Sequence, residues 1–231
     1  MEIAVVDYGL SNLLSVESAL RHLGANVKVS GDPGDILKAD AVILPGVGAF
    51  GDGMEGLKKH GLDEALKEKA ASGTPLLGIC LGMQMLFDES DEFGIHRGLG
   101  LIPGKVEKIP SHDIEGNVQI VPNVGWSALI PPAEGVFGTG SSSLADTFMP
   151  GVDFGDECYF VHSYEAKPAE ALCRIADISY GGRNVCAAVQ KDNVIGTQFH
   201  PEKSGPVGLS ILEGFLIYSG KTLWLNREKR T

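Results

Sequence analysis

Three short runs of consecutive apolar residues, Ile3 to Val6, Ala41-Val42-Ile43-Leu44 and Pro75-Leu76-Leu77-Gly78-Ile79, are each followed by a stretch with helical periodicity. A strand that is apolar at every position has to be covered on both faces. Such strands separated by helices are what a parallel sheet between two helix layers requires. The first helix reads from Ser11 to Leu23, with Leu13, Val16, Ala19, Leu20 and Leu23 on one stripe and Gly24 as its C′ residue. The second run leads through a glycine-rich turn into a helical segment from about Met54 to Ser72. The third passes directly into one from Leu81 to Phe87.

After Gly98 the texture changes. Lys105 to Ile109, Val118 to Val121, Cys158 to Tyr164, Leu172 to Ile178 and Val185 to Val189 are short strand-like runs punctuated by Gly, Pro, Asn and Asp. They predict antiparallel additions to the sheet. Pro131 to Asp156, rich in Gly, Ser and Pro, predicts a loop or irregular insertion. A last helix, roughly Val207 to Tyr218, is expected to end near Gly220. No repeat, long linker or break in composition divides the chain. The expectation is a doubly wound, mainly parallel α/β sheet with antiparallel additions, flavodoxin-like, in a single domain over residues 1–231.

A formal charge of −11 argues against gripping phosphate backbones, so no nucleic acid partner is expected. The basic cluster Arg227, Lys229 and Arg230 reads as a solvated tail. No apolar run approaches membrane-spanning length, and Met1-Glu2-Ile3-Ala4-Val5 lacks a secretory pattern, which places the chain in the cytoplasm with no membrane association. The cysteines at 80, 158, 173 and 186 form no C-x-x-C pair and no dense framework, so neither metal site nor disulfide is expected. Cys158, Cys173 and Cys186 sit among strand-like neighbours and read as small hydrophobes.

Cys80 is different. Gly78-Ile79-Cys80-Leu81-Gly82 lies between an apolar strand and a helical run and matches a nucleophile elbow with sulfur in place of hydroxyl. The turn would place Cys80 at a helix N-terminus, where the dipole favours a thiolate and the Leu81 N–H can donate to an oxyanion. Such a nucleophile needs a base. His200 in Thr197-Gln198-Phe199-His200-Pro201-Glu202 follows an apolar run, and Pro201 would hold His200 and Glu202 on one rigid turn, the carboxylate orienting the imidazole. A lone histidine at a strand end is ordinarily structural; paired with the elbow it reads as the base. Gly46-Val47-Gly48-Ala49-Phe50-Gly51 spells a dinucleotide fingerprint, but Asp52, Gly53 and Gly56 read as continuing the break rather than opening a clear helix, and no acidic residue ends a following strand at the expected distance. The alternatives are a backbone segment offering N–H groups to substrate or oxyanion, and a purely structural turn. No cofactor is expected.

Gly78 to Gln84 with Gln198 to Glu202 resembles the class I, triad-type glutamine amidotransferases. Val6-Asp7-Tyr8-Gly9 with Asn12, Pro45 to Phe50 and Tyr159-Phe160-Val161-His162-Ser163-Tyr164 are similar, within them, to the glutaminase subunits of imidazole glycerol phosphate synthases. The matches run from residue 5 to about residue 205. The resemblance implies Cys80 as nucleophile, His200 as base and acid, and Glu202 as orienting carboxylate, with a γ-glutamyl thioester releasing ammonia. It implies that Gln84, Glu92, Gly48, Ser163 and Tyr164 hold glutamine, and that a peptide at Val47 turns to complete an oxyanion hole with Leu81. The implied partner is a (β/α)₈-barrel cyclase in a heterodimer, which uses the ammonia to make imidazole glycerol phosphate and an aminoimidazole ribonucleotide in histidine biosynthesis. Where the family commonly has Pro-His-x-Gly-Trp-Asn, this chain has Pro122-Asn123-Val124-Gly125-Trp126-Ser127. That keeps two alternatives open: a paralogue feeding ammonia to a partner that amidates a surface sugar, and a silent glutamine-sensing subunit.

Overall fold

A computed structural model describes residues 1–10, 12–132 and 144–228, with side chains as far as Thr222. In chain order the elements are β1 (Glu2–Val6), α1 (Leu13–His22), β2 (Asn26–Ser30), α2 (Pro33–Lys38), β3 (Ala41–Gly46), α3 (Phe50–Lys59), α4 (Leu62–Ala71), β4 (Leu76–Cys80) and α5 (Leu81–Met85). There follow β5 (Phe87–Ser90), β6 (His96–Arg97), β7 (Ile102–Lys108), β8 (Asn123–Ala128), β9 (Glu157–His162), β10 (Tyr164–Pro168), β11 (Arg174–Tyr180), β12 (Arg183–Lys191), β13 (Val194–Thr197) and α6 (Gly205–Glu228).

Seven strands form the central sheet in the order β11-β12-β13-β4-β3-β1-β2. The five from β13 to β2 are parallel, and β12 and β11 extend the sheet antiparallel. All residues of β3 and β4 are buried, as two-sided coverage demands. Successive residues feed opposite layers. Ile3 and Val5 join Leu20, Phe148, Phe199 and Phe215 on one face, and Ala4 and Val6 join Leu44, Phe50, Leu57 and Phe87 on the other. The strand order reverses between β1 and β3, so the carboxyl ends of the neighbouring strands open a crevice there.

The antiparallel additions are correct in kind for β11 and β12 only. β10, β7, β5 and β6 form a separate four-stranded sheet, and β8 and β9 a two-stranded ribbon. Val118 to Val121 is not a strand; Val118 makes an isolated bridge with His112. The run from Cys158 to Tyr164 is broken at Ser163 into β9 and β10. Residues 133–143 of the expected insertion, Lys229, Arg230 and the Arg227 side chain lie outside the described residues; so does Ser11, and α1 is described from Leu13. The rest of the insertion is turn-rich but carries core, since Leu144, Phe148 and Met149 are fully buried.

The helix expected from Met54 to Ser72 is two, divided at Gly61, which has φ +67°. The segment with Asp52, Gly53 and Gly56 does open a helix, contrary to the reading of a continued break, and Gly51 lies in it too. These glycines serve contact rather than flexibility: a Cβ would lie 2.8 Å from His96 at Gly51, 2.8 Å from Met85 Sδ at Gly53 and 2.9 Å from the Tyr8 carbonyl at Gly56. Close packing offsets the entropic cost of glycine in a helix. The helix after Cys80 stops at Met85 instead of Phe87, because Phe87 begins β5. The last helix runs through Gly220 to Glu228.

Candidate active site

Cys80 ends β4 opposite Gly46 of β3 and adopts φ 55°, ψ −110°, a strained conformation for a residue with a side chain. The chain turns directly into α5. Two close approaches force glycine on either side: a Cβ on Gly82 would lie 1.8 Å from the Leu44 carbonyl oxygen, and one on Gly78 would lie 2.6 Å from that of Gly82. The elbow is thus tight because the turn is wedged against β3. The thiol of Cys80 points at the Val161 carbonyl, 3.9 Å away, and Gln198 Nε2 donates to the sulfur at 3.7 Å.

β13 runs parallel beside β4, so the residues just past its end arrive next to Cys80. His200 Nδ1 meets Glu202 Oε1 at 2.8 Å, with Glu202 on a single 3₁₀ turn begun by Pro201. Both side chains are almost wholly buried. His200 Nε2 has no hydrogen-bond partner among the described residues, and His200 and Cys80 line the same cavity. Burial opposes the imidazolium, but the Cys80 sulfur and the Glu202 carboxylate together outweigh it and raise the His200 pKa from 6.5 to about 9. Ser204 ties this turn to β9: its hydroxyl donates to the His200 carbonyl at 2.7 Å and accepts from the Tyr159 N–H at 3.0 Å.

The cavity holds about 340 Å³ and is lined by Val47, Gly48, Cys80, Leu81, Gln84, Glu92, Ser163, Tyr164 and His200, with Pro122, Val161 and His162. Every residue given a catalytic, oxyanion or glutamine-holding role from the sequence is therefore at its wall except Glu202, which stands behind His200. Gln84 is buried, its Nε2 donating to the Tyr164 carbonyl at 3.1 Å and to Gln198 Oε1 at 2.9 Å. Its own carbonyl oxygen has no hydrogen-bond partner among the described residues. Glu92 lies just beyond β5, and its carboxylate accepts from the Phe50 N–H at the start of α3 at 2.7 Å. Burial, countered in part by that bond, raises its pKa. A larger cavity of about 800 Å³, lined by Asp52, Glu55, Lys58, His96 and Arg97 among others, shares Glu92 but contains neither Cys80 nor His200.

Sequence reasoning gave no side-chain role to His162, Asn123, Gln198 or Ser204. His162 Nδ1 bonds the Tyr164 carbonyl at 2.8 Å, which makes it the protonated nitrogen, so Nε2 accepts from Asn123 Nδ2 at 3.3 Å. Burial lowers the His162 pKa to about 4 and His200 adds to that, so the ring is neutral. Asn123 stands where the resembled motif has histidine, and it is the Cα partner of His162 across β8 and β9. Only that cross-strand register, invisible in the sequence, couples the two. Burial pushes the thiols of Cys158 and Cys186 up to about 12.

A family model described as glutamine amidotransferase class-I matches residues 4–218. The chain is 44% identical over 214 residues to "Imidazole glycerol phosphate synthase subunit HisH 1" of Legionella pneumophila (strain Lens), covering 93% of this chain and 98% of that protein. It is 46% identical over 214 residues to the imidazole glycerol phosphate synthase subunit HisH of Geobacillus thermodenitrificans (strain NG80-2), covering 93% and 94%. Among solved structures, one described as a glutamine amidotransferase superposes with TM-score 0.69 at 18% identity, covering 94% of this chain and 98% of that one. PurLQS from Thermotoga maritima gives 0.69 at 19% identity, with the same coverage. The structural likenesses speak for the fold.

Proposed function

Since this chain belongs to the class I glutamine amidotransferase family, we propose that it is the glutaminase subunit of an imidazole glycerol phosphate synthase, hydrolysing glutamine and passing ammonia to a cyclase. The observation that carries the reading is Cys80 on its strained turn sharing one cavity with His200, whose far nitrogen is bonded to Glu202. Relatives at 44 and 46% identity over nearly the whole chain support the pathway.

In this reading the Cys80 sulfur attacks the carboxamide carbon of glutamine, its proton passing to His200 Nε2. The tetrahedral intermediate collapses as His200 protonates the leaving nitrogen, giving ammonia and a γ-glutamyl thioester. Water, deprotonated by His200, then cleaves the C–S bond to release glutamate and restore the thiol. Glu202 holds the imidazole in the required tautomer and stabilises its charged form. The free carbonyl of Gln84 and the carboxylate of Glu92 face the α-amino group of glutamine, and backbone groups at Gly48, Ser163 and Tyr164 take its amino-acid end. Leu81 N–H donates to the oxyanion, joined by Val47 N–H when its peptide turns.

The partner of this reading is a (β/α)₈-barrel cyclase, in a heterodimer in the cytoplasm. The outer face of β8 and β9 beside the cavity is its docking surface, where Val124 and Trp126 are more than half exposed. Asn123 and Ser127 favour one second reading, a paralogue serving a partner that amidates a surface sugar, because they alter the ribbon nearest that partner. The test is glutamate release by the purified chain, alone and with the cyclase encoded beside it, with and without the cyclase's nucleotide ligand. Release that rises only with cyclase and ligand is expected. Hydrolysis unaffected by that cyclase favours the paralogue, and no hydrolysis under any condition favours a silent glutamine-sensing subunit.

A further inference from the structure

One polar atom beside the nucleophile has no use in the mechanism above. The Tyr8 hydroxyl is buried and without a hydrogen-bond partner among the described residues. A Cβ on Gly46 would lie 2.4 Å from Tyr8 Oη and 2.9 Å from Leu81 Cβ, so the hydroxyl rests against the Gly46 Cα, at the position paired with Cys80. Helix α3 fixes the ring from the other side, with the Cβ position of Gly56 3.0 Å from Tyr8 Cδ2. Burial, with Cys80 nearby, raises the phenol pKa well above its usual 10, so the group is an O–H donor at any working pH. A buried donor left unpaired is unfavourable and calls for an explanation.

The adjacent peptide supplies one. Val47 lines the cavity, yet its N–H donates to the Leu10 carbonyl at 3.2 Å. To serve an oxyanion on Cys80 it has to leave Leu10, which means turning the Gly46–Val47 peptide plane. A rigid peptide unit carries its N–H and C=O in opposite directions. Turning it therefore swings the Gly46 carbonyl toward the place the N–H vacates, where the Leu10 carbonyl offers only lone pairs. A donor is needed there, and Tyr8 Oη already touches Gly46.

We infer that Tyr8 is a positioning residue of the oxyanion hole, its hydroxyl donating to the Gly46 carbonyl once the Gly46–Val47 peptide turns to aim the Val47 N–H at substrate. The hydroxyl, unpaired in one state and bonded in the other, biases the equilibrium toward the turned peptide by the worth of one hydrogen bond. This rests on the glutaminase reading.

Tyr8→Phe removes the oxygen alone, and the test compares it with wild type as the complex with the cyclase. The variant is expected to lose roughly tenfold in kcat for glutamate release, the equivalent of one hydrogen bond, with KM for glutamine shifted less than about twofold. Its thermal midpoint stays level or rises, and iodoacetamide alkylates Cys80 at the wild-type rate, since that reaction forms no oxyanion. A kcat within about twofold of wild type overturns the inference. So does a lost kcat accompanied by a lower midpoint and slower alkylation, which marks a packing role. If the wild-type complex releases no glutamate, it is the glutaminase reading that fails, and this inference with it.

Discussion

At the scale of single residues the two buried histidines beside the cavity are driven in opposite directions. Cys80 and Glu202 hold His200 raised to about 9, whereas burial holds His162 lowered to about 4. Replacing Glu202 by Gln removes one of the groups that raise His200 and its orienting bond. Glutamate release by the complex is expected to drop about a hundredfold or more, and the alkaline limb of its pH profile to move below pH 9. Stability follows a separate sign. A raised His200 contributes stability that is complete below 6.5 and lost as pH rises through about 9. A lowered His162 does the reverse: between 6.5 and about 4 the unfolded chain binds the proton first, so stability falls as pH falls through that window. The total is roughly 3 kcal/mol. Because the His200 contribution is complete below 6.5, thermal midpoints from pH 6.5 to about 4 are expected to fall more steeply for wild type than for His162→Gln; parallel curves would refute this.

At the scale of elements, glycine content misled where tertiary contact had the last word. Asp52, Gly53 and Gly56 looked like a continued break, yet they lie within α3, where Met85 and Tyr8 come too close to Gly53 and Gly56 for a side chain. The elbow glycines were legible, since G-x-C-x-G between an apolar strand and a helical run has few other uses. What could not be read was how firmly each is required. Gly82→Ala puts a methyl 1.8 Å from the Leu44 carbonyl oxygen, backbone against backbone. The expected cost is about 3 kcal/mol or more, seen as a lowered urea midpoint or insoluble protein; an unchanged midpoint would mean that β3 and the elbow can separate. The breaks at Gly61 and Ser163 were missed because helical or strand-like composition continues across both, while Gly61 adopts φ +67° and Ser163 gives its carbonyl to Ile109 at 2.9 Å.

At the scale of the molecule, the cavity opens beside a ribbon whose outer face carries Val124, Trp126 and Val161, with the Trp126 ring edge-on to Tyr159 at 6.0 Å. In the proposed reading, a half-exposed tryptophan on the ribbon whose Val161 and His162 line the cavity is the anchor expected of an interface with the ammonia-consuming partner. Trp126→Ala is expected to weaken cyclase association by about 2 kcal/mol, some thirtyfold in Kd by calorimetry, with glutamine binding to the free chain unchanged. An unaltered Kd would move the docking surface elsewhere. The sequence by itself determined the layered α/β class and the candidate nucleophile, base and carboxylate, because continuous apolar strands and residue types at short spacing are local properties. Only the tertiary structure decided what meets across long separations: β13 laid beside β4 to bring His200 to Cys80, Asn123 opposite His162, Gln198 between Gln84 and the sulfur, and Tyr8 under Gly46. Those pairings depend on strand order and register, which arise from the competition of all the buried surfaces at once and leave no local mark.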